Sequence, residues 1–451
     1  MNEVSVSTRR HFLKSSAGVA AAAATAGTLV IPSNVHAADD NTIKIALIGC
    51  GGRGTGACGQ ALSTAGPTKL IAVADAFEDQ ARTAVENLKR EHEGKVDVKD
   101  ENIFVGFDAY KHAIDSGADV IVIATSPGFR PIHFEYAVEK NKNVFMEKPV
   151  ATDAPGIRRI LKANEVAKQK NLKVAVGLQR HHQAGYIETI KRIHDGALGD
   201  ISKGEVPMLR VYWNDGGVWV RPRKPSQTEM EYQMRNWYYF IWLCGDHINE
   251  QHIHNLDVGN WMMNDHPISA YGAGGRQLLT GIDHGQIYDH HSVEYTFANG
   301  TKMISMCRHW PNTRGNNVSE HAHGDKGYCD ASAHIIKFRD GTKWSHPTRN
   351  QPNPYQVEHD DFFDAVRNNK PYNEADNGAH STMTSLLGRM ATYSGAEVTW
   401  DEGINSTLDL HPVKYDFKAD PAELWPDETV RCAPDANGRY WIPTPGVIRA
   451  V

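Results

Sequence analysis

Short apolar runs separated by polar, helix-periodic stretches occupy the first part of the chain beyond residue 40. Segments 43–48, 69–74 and 119–124 are rich in apolar residues and too short for helices, which is typical of buried parallel strands. Charged segments such as 78–93 follow these strands and have the spacing of helices. Strands that alternate with helices predict an α/β domain built on a doubly wound parallel sheet.

Further along the chain, apolar positions alternate with polar ones, as they do in strands with one exposed face. Segments 208–213, 292–297 and 301–306 show this alternation, and the pair Asn299–Gly300 between the last two is a hairpin turn signal. The second half therefore predicts an α+β domain with a large, mostly antiparallel open sheet and helices on one face.

The N-terminus has a charged start, an apolar stretch and a small-residue end. Arg9 and Arg10 are followed by Phe-Leu-Lys, then by the apolar run 17–31 and by Val-His-Ala ending at Ala37. This pattern indicates a signal peptide, and the paired arginines resemble the twin-arginine export signal. The resemblance implies the twin-arginine export machinery as a partner, a periplasmic or otherwise exported location, and cleavage near Ala37. An uncleaved membrane anchor is the alternative, although the run is short and rich in Ala and Gly.

Composition excludes several classes of protein. The 451 residues are 40% hydrophobic and 23% charged with a net charge of −6, which is typical of a soluble globular chain and argues against nucleic-acid binding. The six cysteines have no metal-ligand spacing and are expected to be buried free thiols. The predicted organisation is a signal peptide at 1–37, a first domain at 41–180, a second domain at 181–400 and a surface-wrapping C-terminal segment at 401–451.

The segment 49–54, Gly-Cys-Gly-Gly-Arg-Gly, has the G-x-G-x-x-G pattern of a dinucleotide-binding loop and joins a strand to a helix. Gly49 permits the tight turn, Gly51 lets the backbone approach a pyrophosphate, and Gly54 lets the helix pack on the strand. Asp75 ends the next strand and can hydrogen-bond ribose hydroxyls, which favours NAD over NADP. A plain glycine turn and a helix cap at Asp75 are the alternatives. The predicted cofactor contacts of this Rossmann domain are Gly49, Gly51, Gly52, Arg53, Gly54 and Asp75. Arg53 could equally be a solvated surface residue.

A second group of motifs surrounds Glu147-Lys148-Pro149, at the end of a predicted strand. In chain order the sequence has Ala-Thr-Ser-Pro at 124–127, then His133, this Glu-Lys-Pro corner, and Val-Gly-Leu-Gln-Arg ending at Arg180. With the glycine loop and segment 245–257, this order resembles the Gfo/Idh/MocA oxidoreductases, the superfamily of glucose–fructose oxidoreductase and inositol dehydrogenase, over about residues 42–400.

This resemblance implies an NAD(P)-dependent oxidoreductase that acts on CH–OH groups. It gives Lys148 the role of binding the reacting hydroxyl and assisting proton transfer. The cofactor contacts that it adds are Thr125, Pro127, His133, Glu147 and Lys148.

The family also has an Asp-x-x-x-His-x-x-Asp segment on a helix of its second domain, which matches Glu250, His254 and Asp257 here, with Glu replacing the first Asp. A single helix is predicted over 245–263, so the spacing i, i+4 and i+7 places the three on one helical face. His254 can take the hydroxyl proton because its pKa lies near neutral, while Lys148 stabilises the developing alkoxide and could share the base role. Glu250 would act with His254 in catalysis, and either it or Asp257 would fix the imidazole tautomer. A merely structural His254 and a cofactor-supporting Lys148 are the alternatives.

Substrate contacts are expected beside these motifs. Arg180 and His181 follow a strand and could reach substrate hydroxyls or a carboxylate, with a surface role as the alternative. Trp237 belongs to an aromatic segment that suits a sugar ring, although such segments are often core. Asp257 completes the predicted substrate set.

The chain has 23 histidines, several of them clustered, which raises metal binding as an alternative. Glu250-Gln-His252 and Asp289-His290-His291 could supply ligands, but no pair has a His-x-x-x-His spacing on one face with a third ligand nearby. We predict no metal, and hydrogen-bonding histidines in a sugar-facing cleft instead.

Together these residues predict an exported, NAD-dependent oxidoreductase that acts on a secondary hydroxyl of a sugar, polyol or sugar derivative. Because free NAD is scarce outside the cytoplasm, the cofactor is expected to be tightly bound and recycled in place. Two alternatives remain: an NAD-dependent glycoside hydrolase or lyase that works through a transient keto-sugar, and a non-catalytic sugar sensor. By analogy with the family, we expect a homo-oligomer.

Overall fold

The computed structural model of the protein describes residues 41–427 and 432–446. Its first sheet consists of β1 (Ile43–Ile48), β2 (Thr68–Asp75), β3 (Ile103–Val105), β4 (Val120–Ile123), β5 (Asn143–Met146) and β6 (Val174–Val176). All neighbours pair in parallel, in the order β3-β2-β1-β4-β5-β6. This is the strand order of a Rossmann sheet, which confirms the predicted fold and places a crevice where the order reverses, between β1 and β4.

Helices cover both faces of this sheet. They are α1 (Gly52–Leu62), α2 (Glu78–Glu91), α3 (Ala109–Asp115), α4 (Arg130–Glu139) and α5 (Ala154–Gln169). Successive residues of β1 enter opposite cores, because Ile45 and Leu47 pack on one side of the sheet and Ala46 and Ile48 on the other. Strand residues that are buried on both faces must be apolar, which explains the nearly unbroken apolar runs of the sequence; the charged Lys44 of β1 is exposed.

The second sheet has nine strands. They are β7 (Met208–Asp215), β8 (Ser269–Gly275), β9 (His290–Thr296), β10 (Lys302–His309), β11 (Asn317–Gly324), β12 (Gly327–Asp330), β13 (Ile335–Phe338), β14 (Lys343–Ser345) and β15 (Val398–Thr399). Their order is β14-β13-β12-β11-β7-β10-β9-β8-β15, and only the pair β7–β10 is parallel. The predicted hairpin joins β9 to β10, where Gly300 has a φ of +87°. The predicted large, mostly antiparallel sheet is confirmed.

The helices of the second half are α6 (Ala184–His194), α7 (Glu229–Arg235), α8 (Ile241–Cys244), α9 (His247–Glu250), α10 (Ile253–Met263), α11 (Pro354–Arg367), α12 (Ala375–Ser394), α13 (Trp400–Asn405) and α14 (Pro421–Leu424). The single helix predicted over 245–263 is wrong. Gly245 and Asp246 have positive φ values of 76° and 79°, which end α8. A wide turn, in which the His252 amide donates to the His247 carbonyl at 3.2 Å, separates α9 from α10.

Helix α11 packs against the first sheet although it lies far along the chain. Its Phe362 and Phe363 are buried in the same core as Leu47 of β1 and Phe145 of β5. The Val174 amide of β6 also donates to the Tyr372 carbonyl at 3.1 Å. The core around the first sheet therefore contains residues from beyond position 350.

All six cysteines are buried free thiols, as expected. Among the described residues there is no helix with the length and apolar character needed to cross a membrane. The predicted signal peptide and its cleavage position near Ala37 lie outside the described residues.

Candidate active site

A cavity of about 620 Å³ lies at the carboxyl ends of β1, β2, β4 and β5 and is closed on its other side by residues of the second half. This is the position where open α/β sheets bind ligands. Its walls include Gly49, Gly51, Gly52, Arg53, Gly54, Asp75, Phe77, Thr125, His133, Glu147, Lys148, Arg180, Trp213, Trp219, Trp237, Glu250, His254, Tyr355 and Tyr415. Most of the residues predicted from the motifs therefore meet at one site.

The glycine loop has the backbone geometry that a diphosphate needs. Gly49 has a φ of +92°, and a Cβ there would lie 2.5 Å from the Thr125 amide nitrogen. A Cβ on Gly54 would lie 1.9 Å from the Gly49 carbonyl oxygen, so only glycine allows this contact between helix and strand. Gly51 and Gly52, in contrast, have nothing within 4 Å of the point that a Cβ would occupy, which leaves space for a ligand at the start of α1.

Asp75 stands at the end of β2 beside this loop. Its carboxylate accepts hydrogen bonds from the amides of Cys50, at 2.7 Å, and Phe77, at 2.9 Å. Burial raises the pKa of Asp75, while these two amides lower it. A carboxylate has about four acceptor positions, so it can still receive hydroxyl groups from a ribose.

Arg53 is partly buried, with 37% of its side chain exposed, and carboxylates hold its guanidinium group. It forms ion pairs with Glu147 and, at 3.3 Å, with Glu358, and it lies 4.9 Å from the centre of the Tyr355 ring. Burial opposes ionisation of Glu147, but the charges of Arg53 and Lys148 outweigh it and lower the pKa of this carboxyl. Arg53 thus lines the cavity and connects α1 to the end of β5 and to α11, and its contact with the cofactor stays a prediction.

Two of the three cofactor contacts expected after β4 line the cavity. Thr125 Oγ1 lies 3.4 Å from Nδ1 of His133, whose pKa is lowered to about 3 by burial and by Arg130, so that the ring is neutral. Pro127 is buried in a short turn and is not in the cavity wall, so its contact with the cofactor stays a prediction.

Lys148 and Glu250 join the two halves of the chain. The Lys148 ammonium group donates to the Glu250 carbonyl oxygen at 2.6 Å and to Oε1 of the same residue at 3.1 Å. The other carboxylate oxygen of Glu250 is buried without a hydrogen-bond partner in the described chain, and burial raises the pKa of this residue. Lys148 directly precedes Pro149, and the peptide bond between them is cis.

His254, in the first turn of α10, is the other ionisable group in this part of the wall. Burial, followed by the positive charges of Lys148 and Arg180, lowers its pKa well below the usual value, so the ring is neutral. Its Nδ1 is buried with no partner among the described residues, and the ring stacks on Trp213 with 6.0 Å between centroids. A neutral imidazole and an ammonium group thus face the same cavity, as acid–base chemistry on an alcohol requires.

His181 and Asp257 do not line the cavity, in contrast to the prediction. They hydrogen-bond each other at 2.8 Å, and Asp257 also accepts from Asn377 and Ser381, at 3.1 Å and 2.8 Å. Asp257 therefore does not orient His254. The break between α9 and α10 also removes Glu250 from the helix that carries the other two residues, so the single helical face predicted for the three is wrong.

The structure adds wall residues that sequence reasoning missed. Trp213 and Trp219 lie at the end of β7 and in the loop after it, where a tryptophan-rich segment is the only signal. Tyr355 and Tyr415 come from distant parts of the chain and carry no motif. Arg180 does reach the wall, but it is ion-paired with the buried Glu320.

Two groups of side chains in the described residues have donor atoms within 4.8 Å of one another, the spacing of a metal site. One contains Asp246, His247 and His291, all buried, and the other Asp153, Asp409 and His411. Within each group the side chains hydrogen-bond one another; in the first, for example, His247 Nδ1 lies 2.9 Å from Asp246 Oδ1. The absence of a metal stays a prediction.

Comparisons with known proteins define the class. The profile of the oxidoreductase family with an NAD-binding Rossmann fold, Gfo/Idh/MocA, matches residues 43–178, and that of the twin-arginine translocation signal matches residues 7–26. The protein is thus an exported oxidoreductase. Residues 43–178 therefore match the NAD-binding Rossmann domain of the Gfo/Idh/MocA oxidoreductases, the family that the motifs indicated.

Individual relatives agree with this assignment. The chain is 26% identical over 289 residues to an inositol 2-dehydrogenase of Rhizobium meliloti, which covers 63% of this chain and 74% of that protein. It is 31% identical over 233 residues to an inositol 2-dehydrogenase of Burkholderia lata, but there it spans only 57% of the relative's length. The aldose-aldose oxidoreductase of Caulobacter crescentus has a similar fold, with a TM-score of 0.60 and 17% identity over 79% of this chain and 99% of that one.

Proposed function

We propose that this protein oxidises a secondary hydroxyl of a cyclic polyol or sugar with NAD that remains bound between turnovers. The observation that carries the proposal is that Lys148 and His254, from different halves of the chain, line the same cavity as the glycine loop. The relatives that are named inositol 2-dehydrogenases support a polyhydroxylated ring as the substrate class.

The residues of the cavity divide the work of alcohol oxidation. The glycine loop and Asp75 would hold NAD, which would supply the hydride acceptor for the carbinol carbon. The neutral His254 takes the hydroxyl proton; its Nδ1 is enclosed, so Nε2 is the nitrogen that we assign to substrate. Lys148 donates a hydrogen bond to the oxygen as negative charge develops there, and the carbonyl and carboxylate of Glu250 hold its ammonium group in place.

The proposed preference for NAD over NADP comes from Asp75. Its carboxylate lies within 2.7 Å of the Cys50 amide nitrogen in the glycine loop, where the ribose of a dinucleotide is expected. A 2′-phosphate there would meet a like charge. Replacing Asp75 by serine is expected to weaken the preference for NAD over NADP. The ratio of the dissociation constants for the two nucleotides measures this change.

We also propose that the cofactor is recycled in place, so that a second carbonyl substrate is reduced as the first is oxidised. The two alternative functions, glycoside hydrolysis and sugar sensing, would use the same residues. The geometry of the site therefore gives neither of them separate support. Denaturing the purified mature protein and identifying the released nucleotide tests the retained cofactor. A panel of inositols, aldoses and glycosides, assayed by absorbance of reduced nicotinamide in a single turnover, tests the substrate class. Protein that neither contains nor binds NAD contradicts the proposal.

We propose that the protein is a homo-oligomer whose subunits associate through the second sheet. Tyr271, Met306 and Val318, on β8, β10 and β11, are large apolar side chains that are 60%, 43% and 39% exposed. Apolar groups on one open sheet favour association with a second copy. Light scattering during size-exclusion chromatography measures the mass, and a monomer at micromolar concentration contradicts this proposal.

A further inference from the structure

One ion pair close to the end of β2 involves Arg235, a residue of the cavity wall. Arg235, the last residue of α7, donates from its two terminal nitrogens to the two carboxylate oxygens of Asp79, at 3.1 Å and 3.0 Å. Asp79 lies in the first turn of α2, so this bidentate pair joins the first and second halves of the chain. The guanidinium carbon of Arg235 also lies 3.9 Å from the centre of the Phe77 ring, and both residues belong to the cavity wall.

The C-terminal segment supplies aromatic rings to the same end of the cavity. Phe417 lies 5.6 Å from Phe77 and 4.6 Å from Phe107, measured between ring centroids. Tyr415 stacks on Phe107 at 5.6 Å, lies 5.2 Å from Phe129, and lines the cavity. These rings form a continuous apolar cover beside the Arg235–Asp79 pair.

This cover is held by polar contacts a few residues earlier in the chain. His411 Nδ1 lies 3.1 Å from the Asp153 carboxylate, and its Nε2 donates to the Gly128 carbonyl oxygen at 2.9 Å. The Leu410 amide also donates to Asp153, at 3.2 Å. Asp153 caps the start of α5, so the segment is fixed to the first half of the chain.

Phe77 follows Asp75 by two residues, so under the proposed function, on which this inference rests, both features surround the adenosine half of the dinucleotide. We propose that the Arg235–Asp79 pair and the Tyr415–Phe417 segment close over the adenosine half of NAD and retain it between turnovers. The ligand of this part of the cavity is an adenine nucleotide. Lys148 and His254, which act on the substrate, take no part in this closure.

The two contributions differ in their physical character, which makes them separable. The ion pair is partly exposed, with side-chain exposures of 28% for Arg235 and 57% for Asp79, so salt must weaken it. The aromatic cover is insensitive to salt in this range because its contacts are apolar. Release of NAD is therefore expected to accelerate with ionic strength only as long as the ion pair is intact.

The experiment measures the rate constant for NAD release from the holoenzyme, with released nucleotide trapped by an excess of a second NAD-binding enzyme. Asp79→Asn and Arg235→Gln are each expected to speed release about two- to fivefold at about 0.05 M salt, and the double variant no more than either single one. At about 0.5 M salt the wild type should approach the variants. Tyr415→Leu is expected to speed release at both salt concentrations.

Arg82→Gln is the matched control, because Arg82 forms a 2.8 Å ion pair with Glu78 on the same helix and is not part of the cavity wall. It must release NAD at the wild-type rate. Asp79→Asn changes one partly exposed group, so it keeps the test available if Arg235→Gln does not fold. Equal release rates in wild type, Asp79→Asn and Tyr415→Leu would overturn the inference, whereas wild-type protein that binds no NAD would overturn the proposed function itself.

Discussion

Replacing Gly54 by alanine tests the glycine loop with a single added carbon. A Cβ at this position would lie 1.9 Å from the Gly49 carbonyl oxygen and 3.2 Å from Cβ of Ala124. A carbon and a carbonyl oxygen approach to about 3.3 Å, so α1 and the end of β1 must separate by roughly 1.4 Å. The Gly49 oxygen belongs to the backbone, and the Ala124 methyl group is attached directly to it, so the backbone has to move.

The expected result has two parts. Overpacking costs about 1–3 kcal/mol, which the better helix propensity of alanine offsets by up to about 1 kcal/mol, so the free energy of unfolding falls modestly. The displaced loop amides no longer fit the diphosphate, and a misplacement of about 1 Å can cost about a hundredfold in activity. Nucleotide content after purification and the thermal unfolding midpoint measure the two parts.

Two other glycines of the same segment provide controls. Gly56→Ala adds its carbon to open space on the exposed face of α1, so NAD content should stay unchanged and stability rise by about 0.5–1 kcal/mol. Gly51→Ala also meets no protein atom, so stability should be kept while NAD content falls. A Gly54→Ala protein with full NAD content and an unchanged midpoint would refute the reasoning.

Further predictions concern the reacting groups and the C-terminal segment. Lys148→Met is expected to lower the single-turnover rate constant for alcohol oxidation about 10²- to 10³-fold in protein that has been saturated with NAD. Because the pKa of His254 is lowered, its neutral form persists below pH 6.5, so kcat/KM for oxidation should not fall between pH 8 and about 6.5; an acid limb centred near 6.5 contradicts this. Burial opposes the charged form of His411, but Asp153 outweighs it and raises the pKa to about 10. The charged His411 contributes at most about 5 kcal/mol to the free energy of unfolding; this contribution is complete below pH 6.5 and is lost as the pH rises toward 10. Between these pH values, denaturant unfolding should therefore show a smaller decrease in the free energy of unfolding for His411→Asn than for the wild type.

The first half of the fold follows from local sequence. Apolar runs such as 43–48 are buried on both faces, and that burial requires β-forming, uncharged residues in an almost unbroken row. The glycine loop is also local, because its conformation depends on the missing Cβ atoms of Gly49 and Gly54 themselves. These features can be predicted from the sequence because they depend on residues within the same short segment.

The candidate site is less predictable where its contacts depend on distant residues. Arg53 pairs with Glu358, which is 305 positions away, and no local sequence pattern predicts such a partner. Spacing on an unbroken helix places Glu250 on one face with His254 and Asp257, but the turn between α9 and α10 breaks that helix. Asp257 is instead bound by His181, Asn377 and Ser381, two of which come from α12. Tyr415 reaches the cavity only because the C-terminal segment folds back over the first half.

The position of α11 also bears on the order in which the protein matures. A nascent chain that has emerged only to residue 180 has all six strands of the first sheet, but it lacks Phe362 and Phe363, which belong to the same core as Leu47. That core stays incomplete until translation has passed residue 367. We therefore expect the dinucleotide to be loaded after synthesis is nearly complete and before translocation, so that export acts on a finished holoprotein.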